Sequence, residues 1–340
     1  MAVSLVTGGA GFIGSHVARY RLNAGDVVVV LDDLSGGVLA NVPGGARFIE
    51  ASVTDTAALS AVFREWHFDY VFHLAAYAAE GLSHFIRRFN YMNNVVGSMN
   101  VINECVNHMV RCLVFTSSIA VYGASPAPVT EDSPLLPADP YGISKLAVER
   151  DLVAAKRMFG LDSVVFRPHN VYGEGQNIAD PYRNVIGIFM NRVMKGLPMT
   201  IFGDGEQLRA FSHVDDVAPT IAASVERPDA FNRIFNIGAD TPHTVNRLAR
   251  VVAHSFGVTP SVQYLAPRDE VTQAYATHDL LKTVFGVEPV VTLEEGVSRM
   301  AAWARSIGPA LQSRFGALEI TRGLPPSWAE ISAPILREDG

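Results

Sequence analysis

Apolar residues fall into two rhythms along the first half of the chain. Short runs rich in Val and Phe, at Val3 to Thr7, Val27 to Leu31, Tyr70 to Leu74, Leu113 to Ser117 and Ser163 to Arg167, read as strands. Longer stretches with helical spacing separate them, at Ile13 to Ala24, Thr56 to Trp66, Tyr91 to His108 and Ser144 to Phe159. Strands apolar on both faces, alternating with helices, predict a parallel sheet covered on both sides. Right-handed crossovers then wind the sheet doubly.

After Val171 the rhythm changes. Gly173-Glu174-Gly175-Gln176 and Gly203-Asp204-Gly205 punctuate the chain, and Val185 to Met194 between them reads as a helix. Elements shorten and Pro becomes frequent. The expected division is a first lobe over 1–172 and a smaller α/β lobe over 173–320. Segments near 210–238, including Phe211 to Ala223 and Phe235 to Gly238, are expected to return to the first lobe. The stretch 321–340, with Pro325-Pro326 and Pro334, is expected to form a surface arm.

The first strand runs into Thr7-Gly8-Gly9-Ala10-Gly11-Phe12-Ile13-Gly14. Gly9, Gly11 and Gly14 fit GxGxxG, and Gly8, Gly11 and Gly14 fit GxxGxxG. Such glycines permit a tight turn, bring backbone N–H groups to a pyrophosphate and let helix and sheet pack closely. Asp32 closes the second strand at the distance where an acid accepts the ribose hydroxyls and repels a 2′-phosphate. The fold class is therefore α/β, a Rossmann-type doubly wound parallel sheet with a smaller substrate-binding lobe, and the cofactor expected is NAD. Asp33, adjacent in the same loop, is the residue type that forms turns.

Tyr141-Gly142-Ile143-Ser144-Lys145 places a phenol and an ammonium at i and i+4, on one helix face. A nearby cation favours phenolate, which would suit Tyr141 to acid–base work with Lys145 beside it. Ser118 ends the strand upstream and can bond the same substrate hydroxyl.

These features occur in order with His73-Leu74-Ala75-Ala76, Asn93, Val121-Tyr122-Gly123 and Arg167-Pro168-His169-Asn170-Val171-Tyr172-Gly173. Together, over roughly residues 1–305, they resemble the NAD-dependent epimerase/dehydratase branch of the extended short-chain dehydrogenase/reductase family. The resemblance implies that Ser118, Tyr141 and Lys145 are catalytic. It implies NAD contacts from Gly8, Gly11, Phe12, Ile13, Gly14, Asp32, Asp33, Ser52, Val53, Leu74, Ala75, Ala76, Asn93, Ser117, Tyr141, Lys145 and Pro168. Two positions depart from the pattern. Ser52 stands where relatives place an acid near the adenine, and Ala78 stands where the UDP-galactose 4-epimerases carry a lysine.

Between Ser118 and Tyr122, relatives that dehydrate carry Asp-Glu, decarboxylating ones a Glu and 3,5-epimerases a Cys. Ile119-Ala120 here moves no proton. Reversible hydride transfer at one carbon remains, as in the UDP-hexose 4-epimerases. The resemblance also implies substrate contacts from Ala79, Glu80, Ser118, His169, Asn170, Arg209 and Arg268, with Ala274 beside the sugar's C2 substituent. Arginines suit a diphosphate because they bind it bidentately. If two of Glu80, His84 and His169 face the sugar, a second acid/base pair would act at another carbon. Rival readings are a 4-keto-sugar reductase and a non-catalytic NAD-binding protein.

Composition narrows the partners. The formal charge of −7 argues against a nucleic-acid surface. Cys105 and Cys112 lack metal-like spacing, His213 and His243 lack ligand partners, and no metal is expected. No basic segment with a cleavage site precedes the first strand, and no apolar run spans a bilayer. The expectation is a cytoplasmic protein without a membrane partner, binding a nucleotide-diphosphate sugar. The helices near 91–108 and 144–159 carry apolar residues on more than one face, and relatives pair through such helices, so a homodimer is expected.

Overall fold

The computed structural model describes residues 1–267, 270–311, 315–316 and 318–328. Seven parallel strands form the main sheet: β1 (Val3–Thr7), β2 (Val27–Asp32), β3 (Arg47–Glu50), β4 (Tyr70–His73), β5 (Cys112–Thr116), β6 (Ser163–Pro168) and, later in the chain, β11 (Arg233–Ile237). Their order is β11-β6-β5-β4-β1-β2-β3. The order reverses between β1 and β4, which opens a crevice at the carboxyl ends of the strands.

Alternate residues feed two cores. Val28, Val30, Phe72, Val114 and Phe166 pack with Val17, Val214 and Ile221 on one face. Val29, Leu31, Val71, Leu113 and Val165 pack with Leu59, Phe63, Val101 and Leu152 on the other. Full burial of such a side chain contributes about 1.5–3 kcal/mol, so the pleat fixes the sheet between its helix layers.

The second lobe is built from short strands. β7 (Val171–Tyr172) pairs with β10 (Ser212–His213), and β8 (Met199–Phe202) pairs with β13 (Val262–Leu265). β9 (Leu208–Ala210) lies between β12 (Pro242–Thr244) and β14 (Gln273–Ala274). The Val214–Ala223 helix packs on the Phe12–Asn23 helix, and β11 joins the main sheet beside β6. Both returning segments therefore rejoin the first lobe.

Three elements differ from the sequence reading. β3 went unforeseen because it is a half-exposed edge strand without an apolar run. The Tyr91 to His108 helix begins at Arg87 and contains a π-helical turn at Met92–Val96. The helix expected at Ser144 begins at Pro140, where Asp139 Oδ1 accepts the Gly142 N–H at 2.9 Å and proline takes the first turn. The described part of the C-terminal stretch ends on a packed side chain. Trp328 is buried against Tyr182 and Phe85, with ring centres 5.2 and 6.2 Å away. Among the described residues no helix is long and apolar enough to cross a membrane, and no group of metal-ligating side chains is present. Cys105 and Cys112 are free and buried, and burial pushes the Cys112 thiol up to about 12.

Candidate active site

A cleft of about 1120 Å³ runs along the carboxyl ends of the strands. At one end lies the glycine loop. Gly8 has φ +69°, and a Cβ there would lie 2.6 Å from the Ala75 nitrogen. A Cβ on Gly14 would lie 2.2 Å from the Gly8 carbonyl oxygen. Only glycine lets the turn and helix close so tightly. Phe12, Ile13 and Gly11 complete this wall. Asp32 accepts the Ala10 and Leu34 N–H groups at 3.0 and 2.8 Å and faces the cleft. Burial raises its carboxyl above the ordinary value, against those hydrogen bonds. Asp33 also reaches the wall, where it caps the turn through Ser35 N at 3.0 Å. Val53, Leu74, Ala75, Ala76, Asn93, Ser117 and Pro168 line the floor. Asn93 sits on the π-helical turn, a local widening often found at functional sites. The cradle has the shape and donor set for a dinucleotide.

Midway along the cleft stand the catalytic candidates. Ser118 and Tyr141 both line this stretch, and Ser118 Oγ accepts the Ala120 N–H at 3.1 Å. Burial pushes the Tyr141 phenol above its ordinary value, Ser118 and Arg183 work against the shift, and Glu80 and Asp139 add to it. Lys145 Nζ donates to the Thr116 carbonyl at 2.8 Å and lies 5.8 Å from the centre of the Tyr141 ring. Burial brings its ammonium down to about 7, opposed by Glu149. In the protein alone, burial favours the protonated phenol. Lys145 gives one of its three N–H groups to Thr116, and both it and Tyr141 line the cleft.

Glu80, Asn170, Arg209 and Ala274 line the other end. Arg209 is held by the carbonyls of Leu208 and Val271, at 2.8 and 2.6 Å, with Glu270 at 3.5 Å. Arg268 lies outside the described residues. Three expected contacts are absent from the wall. Ser52 turns to Thr54 Oγ1 at 3.0 Å in its own loop. Ala79 packs into the cluster of Leu82, Ile86 and Trp328. His169 turns behind the wall to the Ala210 carbonyl and His278.

Other wall residues escaped sequence reasoning. Arg183 binds Asp180 at 2.5 Å, covers the Tyr77 ring at 4.7 Å and is among the charges felt by Tyr141. Its i, i+3 acid was the only local signal. Tyr182, Pro326, Ser327 and Trp328 also reach the cleft, brought there by long-range packing that no local motif announces.

Comparison with known proteins agrees with this geometry. Residues 4–238 match the model of the NAD dependent epimerase/dehydratase family. A putative UDP-glucose 4-epimerase of Methanocaldococcus jannaschii is 34% identical over 89% of this chain and 98% of its own. The Thermotoga maritima UDP-glucose 4-epimerase, solved with UDP-glucose, is 34% identical with TM-score 0.85, covering 90% of this chain and 99% of its own. The Thermus thermophilus UDP-glucose 4-epimerase, solved with NAD, is 34% identical with TM-score 0.83, covering 89% and 99%. The chain belongs to the NAD-dependent epimerase/dehydratase family of nucleotide-sugar enzymes, and its cofactor is NAD.

Proposed function

We propose that the protein inverts C4 of a UDP-hexose through a transient 4-keto sugar. The observation that carries this reading is that Ser118 and Tyr141 line one cleft together with Ile119 and Ala120. That stretch holds no group able to remove a second proton. Tyr141 takes the 4-hydroxyl proton while Ser118 holds the oxygen. NAD held by the glycine loop and Asp32 would supply the hydride acceptor and donor, and the positive charge of its oxidised ring would favour the Tyr141 phenolate. After the keto sugar turns, Tyr141 gives the proton back on the opposite face. Asn170 and Arg209 would hold the diphosphate.

A second reading rests on Glu80 and His84, which both line the cleft. Acting as a pair, they would exchange a carbon-bound proton and epimerise a different centre. Turnover of UDP-hexoses in D₂O separates the two. Hydride transfer at C4 leaves the product without carbon-bound deuterium, whereas proton abstraction labels it. Purified protein that turns over without added cofactor would set both apart from a reductase. Met92, Val96, Ile143 and Val153 are exposed apolar residues on the helices expected to pair, which supports a homodimer, checked by light scattering. A monomer mass at micromolar concentration would refute it.

A further inference from the structure

Behind the cleft wall, three side chains form a line. His169 Nδ1 lies 3.0 Å from the Ala210 carbonyl oxygen. His169 Nε2 lies 3.0 Å from His278 Nε2. His278 Nδ1 lies 2.6 Å from Asp240 Oδ1. Both rings are buried, at 2% and 1% exposure.

Protons can be counted along this line. A carbonyl and a carboxylate only accept, so each end needs an N–H. Two nitrogens meeting at 3.0 Å need one proton between them. The line therefore requires three protons, and two neutral imidazoles supply two. The third does not sit on Asp240, which is partly exposed and accepts Lys282 Nζ at 2.8 Å. Against burial, which raises it, the His278 and Lys282 hydrogen bonds hold the Asp240 carboxyl below its ordinary value. The Ser212 hydroxyl is no substitute donor. It lies 3.4 Å from His169 Nδ1 and gives its proton to the His169 carbonyl at 3.0 Å.

We propose that His278 is a buried imidazolium, neutralised by Asp240, that clasps the phosphate-gripping strand of the second lobe to the end of the cofactor sheet. His169 is the neutral member, donating through Nδ1 and accepting through Nε2. Burial, helped by the neighbouring His278, holds it down to about 3. Burial, with Lys282, holds His278 below its ordinary value against Asp240 and Glu131; the three protons that the line requires are what assign the charge.

The clasp has a place in the site. His169 lies between Pro168 and Asn170, which both line the cleft. Its partner oxygen belongs to Ala210, next to Arg209 on β9, and Asn170 Nδ2 binds the same oxygen at 3.1 Å. His278 follows β14, where Ala274 stands opposite Arg209. His169 and His278 are thus positioning residues: they touch no reacting atom and hold Arg209, Asn170 and Ala274 in one frame.

The ring protonation is tested by ¹⁵N-histidine NMR near neutral pH. Both His278 ring nitrogens should carry protons, and a neutral His278 overturns the proposal. Asp240→Asn supplies a donor to His278 Nδ1, so two protons then satisfy the line and the imidazolium signature should vanish. Its persistence would overturn the assignment. The kinetic consequence rests on the nucleotide-sugar reading. His278→Ala should raise KM for a UDP-hexose by about tenfold, the scale of a buried partner left unpaired, with kcat within about threefold. Asp240→Asn should keep a KM near wild type. If His278→Ala does not fold, His278→Gln retains one donor to His169 and should fall between. A loss confined to kcat, or no change, would overturn the clasp. Affinity for UDP alone, by calorimetry, reads the same grip, so the clasp stands or falls even if no UDP-hexose is turned over.

Discussion

Arg167 and Glu149 meet as a two-point ion pair, one helical turn from Lys145, with Nη2–Oε2 at 2.6 Å and Nε–Oε1 at 2.9 Å. Both side chains are buried, and Ser117 adds a hydrogen bond to Glu149 at 2.5 Å. Arg167 also donates to the Tyr122 hydroxyl, which donates to Asn236. Glu149 lies one turn beyond Lys145 and opposes the loss of its charge. Glu149→Leu should destabilise the fold by about 3–5 kcal/mol, because Arg167 stays buried without its counter-charge. The double change Glu149→Leu, Arg167→Met should recover most of that loss. Urea unfolding of both variants checks this. A single-variant loss below about 1 kcal/mol would place the pair at the level of an exposed one.

Tyr141→Phe should retain bound NAD and the wild-type melting profile while turnover falls by about 10²-fold or more, the scale of lost acid–base catalysis. The Tyr141 side chain is buried. Removing the oxygen therefore leaves the ring's packing in place. Single-turnover kinetics with the purified variant reads the step directly. Activity within a few-fold of wild type would remove Tyr141 from the mechanism.

The glycine loop, the Tyr141–Lys145 spacing and five of the seven main-sheet strands were legible because each is local. The helix read from Ser144 starts four residues earlier, at Pro140, because the Asp139 cap and the proline lie outside its apolar spacing. His169 shows where locality ends. Its neighbours Pro168 and Asn170 line the cleft, and the same motif pointed His169 there too. The side chain instead follows partners 41 and 109 residues away, Ala210 and His278. Arg183 and Trp328 reached the wall through tertiary packing, for which a single sequence has no signal.

His73 gives a pH dependence with a definite sign. Its ring is buried between Thr7 Oγ1 at 2.7 Å and Ser98 Oγ at 2.9 Å. Burial, with Lys145 nearby, brings it down to about 3. The unfolded histidine binds a proton near pH 6.5 and the folded one does not. The stability His73 contributes is therefore present above that pH and is lost progressively as pH falls toward 3, at up to about 1.4 kcal/mol per unit. Melting temperatures between pH 7 and 5 should fall, and His73→Gln should flatten the slope. An unchanged slope would show that other groups set it.

Ala274 should decide whether a 2-acetamido group fits. It lies in the cleft wall and stands in register with Arg209. Tyr275 is absent from that wall, and its carbonyl accepts the Val129 N–H at 3.1 Å. Ala274 thus lines the cleft and Tyr275 does not. Space alone gives no affinity, because an amide brought into the pocket must also keep its hydrogen bonds. Ala274→Tyr would fill the space, and overpacking of this kind costs about 1–3 kcal/mol. The variant should lose roughly tenfold or more in kcat/KM on a UDP-N-acetylhexosamine and far less on the plain UDP-hexose. Parallel kinetics on the two sugars checks this. An equal loss on both would mean that residue 274 does not stand beside the C2 substituent.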